Sequence, residues 1–328
     1  MTPSPAPFTP CAHDRAPAKI ARRNLRLTGE LLSILDLFEA RGVPGVPLKG
    51  PLLALLAYGN LALRESTDLD ILVRRPHVER AKELLLSHGY RPELSAEAGH
   101  DAALLACGYH YRLRRGDGLA VELHWNLAPS EFPYPLDAQE VWTRLRPVRL
   151  GGRTVYTLGS EDLLLFLCAH GAKHCWWRQQ WVADVAELIG HEGRLDWGTI
   201  VGRARARGAE RMLLLGLWLA RDLFDAPAPE PLVARARADA SVRALADDVR
   251  ARLLAPNPAP LKPWRARLFH LRVRERWRDR ARYVWFAVTT PNAADWQVVR
   301  LPASLHFLYY LVRPARLALK YASLLLRL

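Results

Sequence analysis

The sequence predicts an α+β fold, with strands and helices interleaved in its first half and helices almost alone in its second. Three observations carry this. Up to residue 158, short apolar runs closed by glycine or proline alternate with stretches of helical period. Two alternating segments, HYRLRR and LAVELHW, flank a Gly-Asp-Gly turn and read as a hairpin. From Ser160 onward apolar residues recur at helical spacing.

Each element follows in order. KIARRNLRLTGELLSILDLFEARG reads as a helix ending at Gly42. VPGVPLKG is a short strand entering a glycine turn. PLLALLAYG is a helix with Pro51 in its first turn and Gly59 closing it. STDLDILVR is a strand, and RPHVERAKELLLSHGY an amphipathic helix closed by Gly89. The hairpin comes next, then a strand pair around VRLGGRTVYTL. Ser160 caps a helix with two acids in its first turn, expected to run to Gly190. WGTIVGRARARG, ERMLLLGLWLARDLF and EPLVARARADASVRALADDVRARLL each read as one helix, and APNPAPLKP as a linker. The expected organisation is a disordered Pro-rich tail over 1–18, a sheet-bearing domain over 19–158, a helical domain over 159–255 and a basic, aromatic helical arm over 256–328.

Composition narrows the function classes. Half of the 328 residues are apolar and eleven are Trp, which excludes global disorder. The formal charge of +14 favours acidic partners: nucleotides, nucleic acid or anionic lipid. Only six of the basic residues are Lys, so the arginine bias of a GC-rich genome accounts for the charge equally well. Four cysteines without C-x-x-C spacing exclude a paired disulfide framework and a zinc signature, and fit reduced thiols in a cytoplasmic protein. The opening MTPSPAPFTPCAHDRAPAK is no signal peptide, and no apolar run is long enough to span a bilayer. Residues 262–282 carry nine basic residues and two acids, a net +7. That stretch suits RNA or anionic lipid, and equally a solvated helix face. Residues 301–328 interleave aromatic and aliphatic residues with Arg313, Arg316 and Lys320. This pattern suits peripheral contact at the inner face of a membrane, or a cover for the protein's own core.

The chemistry concentrates in TDLDILV. Side chains alternate along a strand, so Asp68 and Asp70 share one face while Leu69, Ile71 and Val73 take the other. Like charges this close repel, and a divalent cation relieves the conflict. Oxygen ligands on a strand suit Mg²⁺ or Mn²⁺ together with substrate phosphates. In LAVELHW, Glu122 and His124 likewise share a face. If the two strands are neighbours, Glu122 completes a three-carboxylate cluster able to hold two metals about 3.5–4 Å apart for phosphoryl transfer. An isolated D-x-D equally marks a solvated edge strand. Here Lys49 and Gly50 form a turn at the mouth of a helix, where backbone N–H groups hold phosphate. Arg64 and Ser66 precede the aspartates, within reach of phosphate oxygens.

LKG, an apolar helix, RESTDLDILV and VELHW together resemble the nucleotidyltransferases of the DNA polymerase beta superfamily, and more narrowly the bacterial uncharacterised nucleotidyltransferase group. The resemblance extends through HGAKHCW and WVADVAELI, covering Val46 to Ile189. It implies a small mixed sheet flanked by helices, followed by a mostly helical region. It implies transfer of a nucleoside monophosphate from an NTP to an unknown acceptor, with Asp68, Asp70 and Glu122 as metal ligands and Gly50 on the nucleotide phosphates. The chain departs from the pattern at Pro51, which offers neither hydroxyl nor N–H where many members carry Gly-Ser or Gly-Gly. Lys49 compensates as a point charge. D-x-D also serves glycosyltransferases, so a nucleotide-sugar donor is an alternative, as is a non-catalytic nucleotide- or RNA-binding module.

In the helical half, His170 and His174 lie four apart on one face, but HGAKH lacks the glutamate of a zinc helix. His170, Lys173 and His174 are read as facing the cleft, or as structural histidines bonded to Asp184 or backbone. Asp184 is read as a partner of Lys173 or Arg178. Trp176, Trp177 and Trp181 are read as core or domain interface.

Overall fold

The computed structural model describes residues 17–93, 105, 108–129, 132, 134–290, 298–299 and 303–325. Most of the expected Pro-rich tail lies outside the described residues. Helix α1 (Pro17–Glu39) carries Leu27, Leu31, Ile34 and Phe38 at helical spacing and buries all four. It is followed by β1 (Gly45–Pro47), α2 (Gly50–Tyr58), β2 (Leu69–Val73), α3 (Val78–Ser87), β3 (Tyr90–Pro92), β4 (His110–Arg115) and β5 (Ala120–His124).

These five strands form one sheet in the order β1-β2-β5-β4-β3. β2 and β5 run parallel, while the other neighbours are antiparallel. The sheet is therefore mixed and flanked by helices, as the resemblance implies. Leu69, Ile71 and Val73 from β2 and Val121 and Leu123 from β5 point to one face, where they pack against Leu31 and Phe38 of α1 and Leu85 of α3. Each such side chain contributes about 2 kcal/mol by leaving water. The opposite face carries the polar residues of the same strands, and that asymmetry creates the site.

A separate hairpin, β6 (Arg146–Leu150) and β7 (Arg153–Thr157), leads into the helical half. There α4 (Ser160–Lys173), α5 (Gln179–His191), α6 (Trp197–Ala206), α7 (Glu210–Phe224), α8 (Glu230–Ala238) and α9 (Ala240–Leu253) enclose a second core. That core also takes in Leu53 and Ala57 of α2 and Leu72 of β2. Helix α2 thus joins the sheet to the helical half. The chain continues through α10 (Pro263–Val273), α11 (Trp277–Thr289) and α12 (Tyr309–Leu325). Among the described residues, no helix is long and apolar enough to cross a membrane.

Two expected helices are broken in the structure. The helix expected from Ser160 to Gly190 is α4 and α5, separated by a turn in which Cys175 and Trp176 have φ of 54° and 52°. The N–H of Trp176 donates to Gly171 O at 2.8 Å, closing the end of α4. The helix expected over EPLVARARADASVRALADDVRARLL is α8 and α9, because Asp239 caps the second by accepting from the N–H groups of Ser241 and Val242.

Candidate active site

The polar face of the sheet closes one side of a cleft of about 910 Å³. Pairing register places its groups. Asp70 is directly opposite Glu122 on the parallel neighbour, and Glu122 is opposite Arg112 on β4. His124 is opposite His110. Asp68 immediately precedes β2 and shares the face of Asp70. The expected metal, nucleotide and cleft residues line this cleft: Lys49, Gly50, Arg64, Ser66, Asp68 and Asp70 from the first half of the sheet, with Glu122, His124, His170, Lys173 and His174.

The solvated edge strand that an isolated D-x-D equally marks is excluded, because β2 lies inside the sheet between β1 and β5. Asp70 is only 3% exposed, because Lys49 and the helical half cover it. Its Oδ1 receives Lys49 Nζ at 3.1 Å and His124 Nε2 at 3.2 Å. Burial alone raises a carboxyl pKa, but Lys49 and His124 outweigh it and hold Asp70 well below the usual carboxylate range. Glu122 follows the same logic: burial is outweighed by His124, 3.4 Å from its Oε2, and its pKa falls to about 2. Lys49 and His124 shift the other way. Burial opposes their charge, yet the surrounding carboxylates overcome it and raise both. Asp68, next to Thr67 Oγ1 at 3.1 Å, is raised by burial and by the charge of Asp70.

One ligand atom each from Asp70, Glu122 and His124 lies within 4.8 Å of the others. Two carboxylates and an imidazole form a donor set that could hold a divalent cation. His124 joins the two acids because it lies one strand repeat beyond Glu122 and reaches back between them, while Asp68, the third of the expected carboxylates, lines the same cleft.

Arg64 is placed at the cleft but is not free to meet phosphate. Its Nε and Nη2 form a two-pronged pair with Asp184 at 2.7 and 3.0 Å, and it is 6% exposed. Asp184, on α5, also accepts from Tyr58 OH at 2.8 Å. The pairing of Asp184 with Lys173 or Arg178 is therefore corrected. Arg64 Nη1 lies 3.4 Å from both Gly50 O and Ser66 Oγ, so the pair braces the glycine turn. Gly50 itself has φ +65°, and a Cβ there would stand 3.3 Å from Asp68 O.

The histidines of the helical wall are held neutral, while Lys173 keeps most of its charge at neutral pH. Burial, reinforced by nearby Lys49 and His174, drives His170 well below its usual pKa. Burial with Lys173 and Lys49 lowers His174 to about 3. Burial and Lys49 lower Lys173 to about 8, with its Nζ 3.4 Å from Tyr109 OH. Trp176 is fully buried, as expected, but Trp177 and Trp181 line the cleft. They meet edge to face at 5.7 Å, and His174 lies 5.1 Å from Trp181.

Sequence reading missed Tyr109, His110 and Arg112, all of which line the cleft. The signal was present: a hairpin centred on Asp117 pairs His110 with His124 and Arg112 with Glu122.

A family model described as "Uncharacterised nucleotidyltransferase" matches residues 11–225. No curated protein matches the chain. Among solved structures the chain is similar to the antibiotic-resistance factor ANT(2'')-Ia, at 12% identity over 56% of this chain and 94% of that one, with a TM-score of 0.40. It is similar to lincomycin-bound lincosamide antibiotic adenylyltransferase LnuA, at 21% identity over 49% and 94%, with a TM-score of 0.35. A third is an antigenic nucleotidyltransferase-like protein from Paracoccidioides brasiliensis, at 16% identity over 57% and 89%, with a TM-score of 0.31. At TM-scores this low, the family match alone carries weight. It spans well over half of the chain and contains every cleft residue named above, so this protein belongs to the uncharacterised nucleotidyltransferase family and is a nucleotidyltransferase enzyme.

Proposed function

We propose that the enzyme transfers a nucleoside monophosphate from an NTP to an acceptor hydroxyl, using Mg²⁺ or Mn²⁺ held by Asp70 and Glu122 with His124 and Asp68 beside them. The observation that carries this is the in-register pairing of Asp70 with Glu122 on parallel strands, beside the Lys49–Gly50 turn in one cleft. The acceptor oxygen bonds to the α-phosphorus, the bond to the β-phosphate oxygen breaks, pyrophosphate leaves with the electron pair, and the hydroxyl proton passes to water. Bound metal would supply positive charge to the phosphate oxygens.

The chain's own groups do the rest. Gly50 opens α2, whose first-turn N–H groups favour anions, and Pro51 takes a position that needs no N–H. Lys49 brings a charge kept on by three carboxylates. Glu122 stays ionised beside His124 and adds its negative charge at the metal position. Neutral His170 and His174, with Trp177 and Trp181, offer hydrogen bonds and flat apolar faces for the acceptor or the base.

Isothermal titration is expected to show NTP binding that requires Mg²⁺ and disappears in Asp70→Asn. Incubation of candidate acceptors with mixed NTPs is expected to add a nucleotide's mass. Metal-independent binding unaffected by Asp70→Asn overturns the proposal, as does a hexose-sized increment from a nucleotide-sugar.

A further inference from the structure

Helix α11 turns its apolar stripe away from the protein. Its inward side is already committed. Tyr283 OH donates to His270 Nδ1 at 3.2 Å, and His270 Nε2 donates to Lys173 O at 2.9 Å. Arg274 lies over the Tyr283 ring at 3.9 Å, and Ala287 O accepts from Arg313 of α12. These contacts fix the helix against the C-terminal end of α4. The outward side then carries Trp277, Ala281, Val284, Trp285 and Val288, at spacings i, i+4, i+7, i+8 and i+11, all exposed. Trp277 is 73% and Trp285 68% exposed. Ordinarily such a stripe faces a core.

Helix α12, which packs on α11, repeats the pattern. Leu311, Ala315, Ala318 and Leu319 lie at i, i+4, i+7 and i+8 and are exposed. Beside the α11 stripe stand exposed Arg278 and Arg282. Both belong to the segment 262–282 with its net +7.

We propose that α11 and α12 form a docking surface for an anionic membrane. The stripes enter the interfacial zone, with Trp277 and Trp285 at headgroup depth and Arg278 and Arg282 on lipid phosphates. Charge selects this occupant over a second copy, because two such faces would bring together like-charged segments of chains that each carry +14. Side-chain type favours it over RNA: of the nine stripe residues only Trp277 and Trp285 offer a ring for a base to stack on, and the other seven are aliphatic. The surface lies outside the cleft, so the proposal stands apart from the catalytic reading.

Flotation of the full chain with vesicles tests it. Wild type is expected to float with phosphatidylglycerol–phosphatidylcholine vesicles, not with phosphatidylcholine alone, and less as salt rises. Trp277→Ser with Trp285→Ser is expected to weaken partitioning by roughly tenfold or more with an unchanged melting temperature, since both side chains are exposed. Failure of wild type to float overturns the proposal, as does equal flotation of the double variant. So does a dimer in sedimentation velocity, or RNA retention on filters, that the double variant abolishes.

Discussion

Lys49 Nζ stands 3.1 Å from Asp70 Oδ1, inside a cluster where Asp68, Asp70 and Glu122 all favour its charge. The ammonium occupies the ground a divalent cation would need, so the lysine and the metal compete for the same carboxylates. Two unit charges 3.1 Å apart interact by about 5 kcal/mol at an effective dielectric of about 20. Lys49→Gln is therefore expected to bind Mn²⁺ alone about tenfold more tightly by isothermal titration, while nucleotide transfer slows because a phosphate contact is lost. Unchanged or weaker Mn²⁺ binding would remove the competition from the account.

The Arg64–Asp184 pair supports a second prediction. Both groups are nearly inaccessible, at 6% and 1% exposure. Removing one partner strands a buried charge. Asp184→Ala is expected to lose about 3–5 kcal/mol in urea unfolding, and Tyr58 loses its acceptor as well. Arg64→Lys is expected to retain little, since a point charge cannot reproduce the two-pronged geometry. Arg64→Met combined with Asp184→Leu should recover much of the loss. A double variant less stable than either single one would show that the pair's contribution lies elsewhere.

Stability should fall on mild acidification. His110, His174 and His270 are buried and lowered to about 4, 3 and 4, burial being the main cause in each. Below pH 6.5 the unfolded chain takes up protons that the folded chain refuses. The stabilisation is complete above that pH and is lost as pH falls toward 4, at about 1.4 kcal/mol per pH unit for each histidine. His124 has the opposite sign. Its raised pKa gives stability present below 6.5 and lost as pH rises through the folded value, so it offsets part of the trend. The urea midpoint is expected to drop between pH 7 and 5, and less steeply in His174→Gln. A midpoint that is flat or rises toward pH 5 would reject this balance.

What the sequence revealed and what it hid have separate physical causes. The period of a strand is two, so Asp68, Asp70, Glu122 and His124 could be assigned to faces without knowing any neighbour. The hidden parts depend on partners far away along the chain. Arg64 and Asp184 are 120 residues apart, and local pattern says nothing about that contact. The contact of His124 with both Asp70 and Glu122 follows from parallel register, which is set by packing rather than by either strand alone. The break after α4 is hidden for the same reason, because HGAKHCWW has no proline and no glycine where the chain turns.

That break gives the last prediction. Cys175 and Trp176 adopt left-handed backbone at a cost of order 1–2 kcal/mol each. The compensation is the burial of Trp176, which is fully inaccessible. Its ring fits a slot made by two glycines from different helices. A Cβ on Gly171 would stand 2.4 Å from the ring, and one on Gly216 would stand 3.3 Å from it and 2.6 Å from Cys168 Sγ. Gly171→Ala must therefore expel the indole or shift α4, and is expected to cost about 1–3 kcal/mol or more. The turn also sets Lys173 and His174 at the cleft, and Trp177 just after it. Gly171→Ala should accordingly lower turnover even at temperatures where it remains folded, whereas Gly202→Ala, with open space at its Cβ, should change neither. Full turnover in folded Gly171→Ala would show that the Trp176 slot serves stability alone.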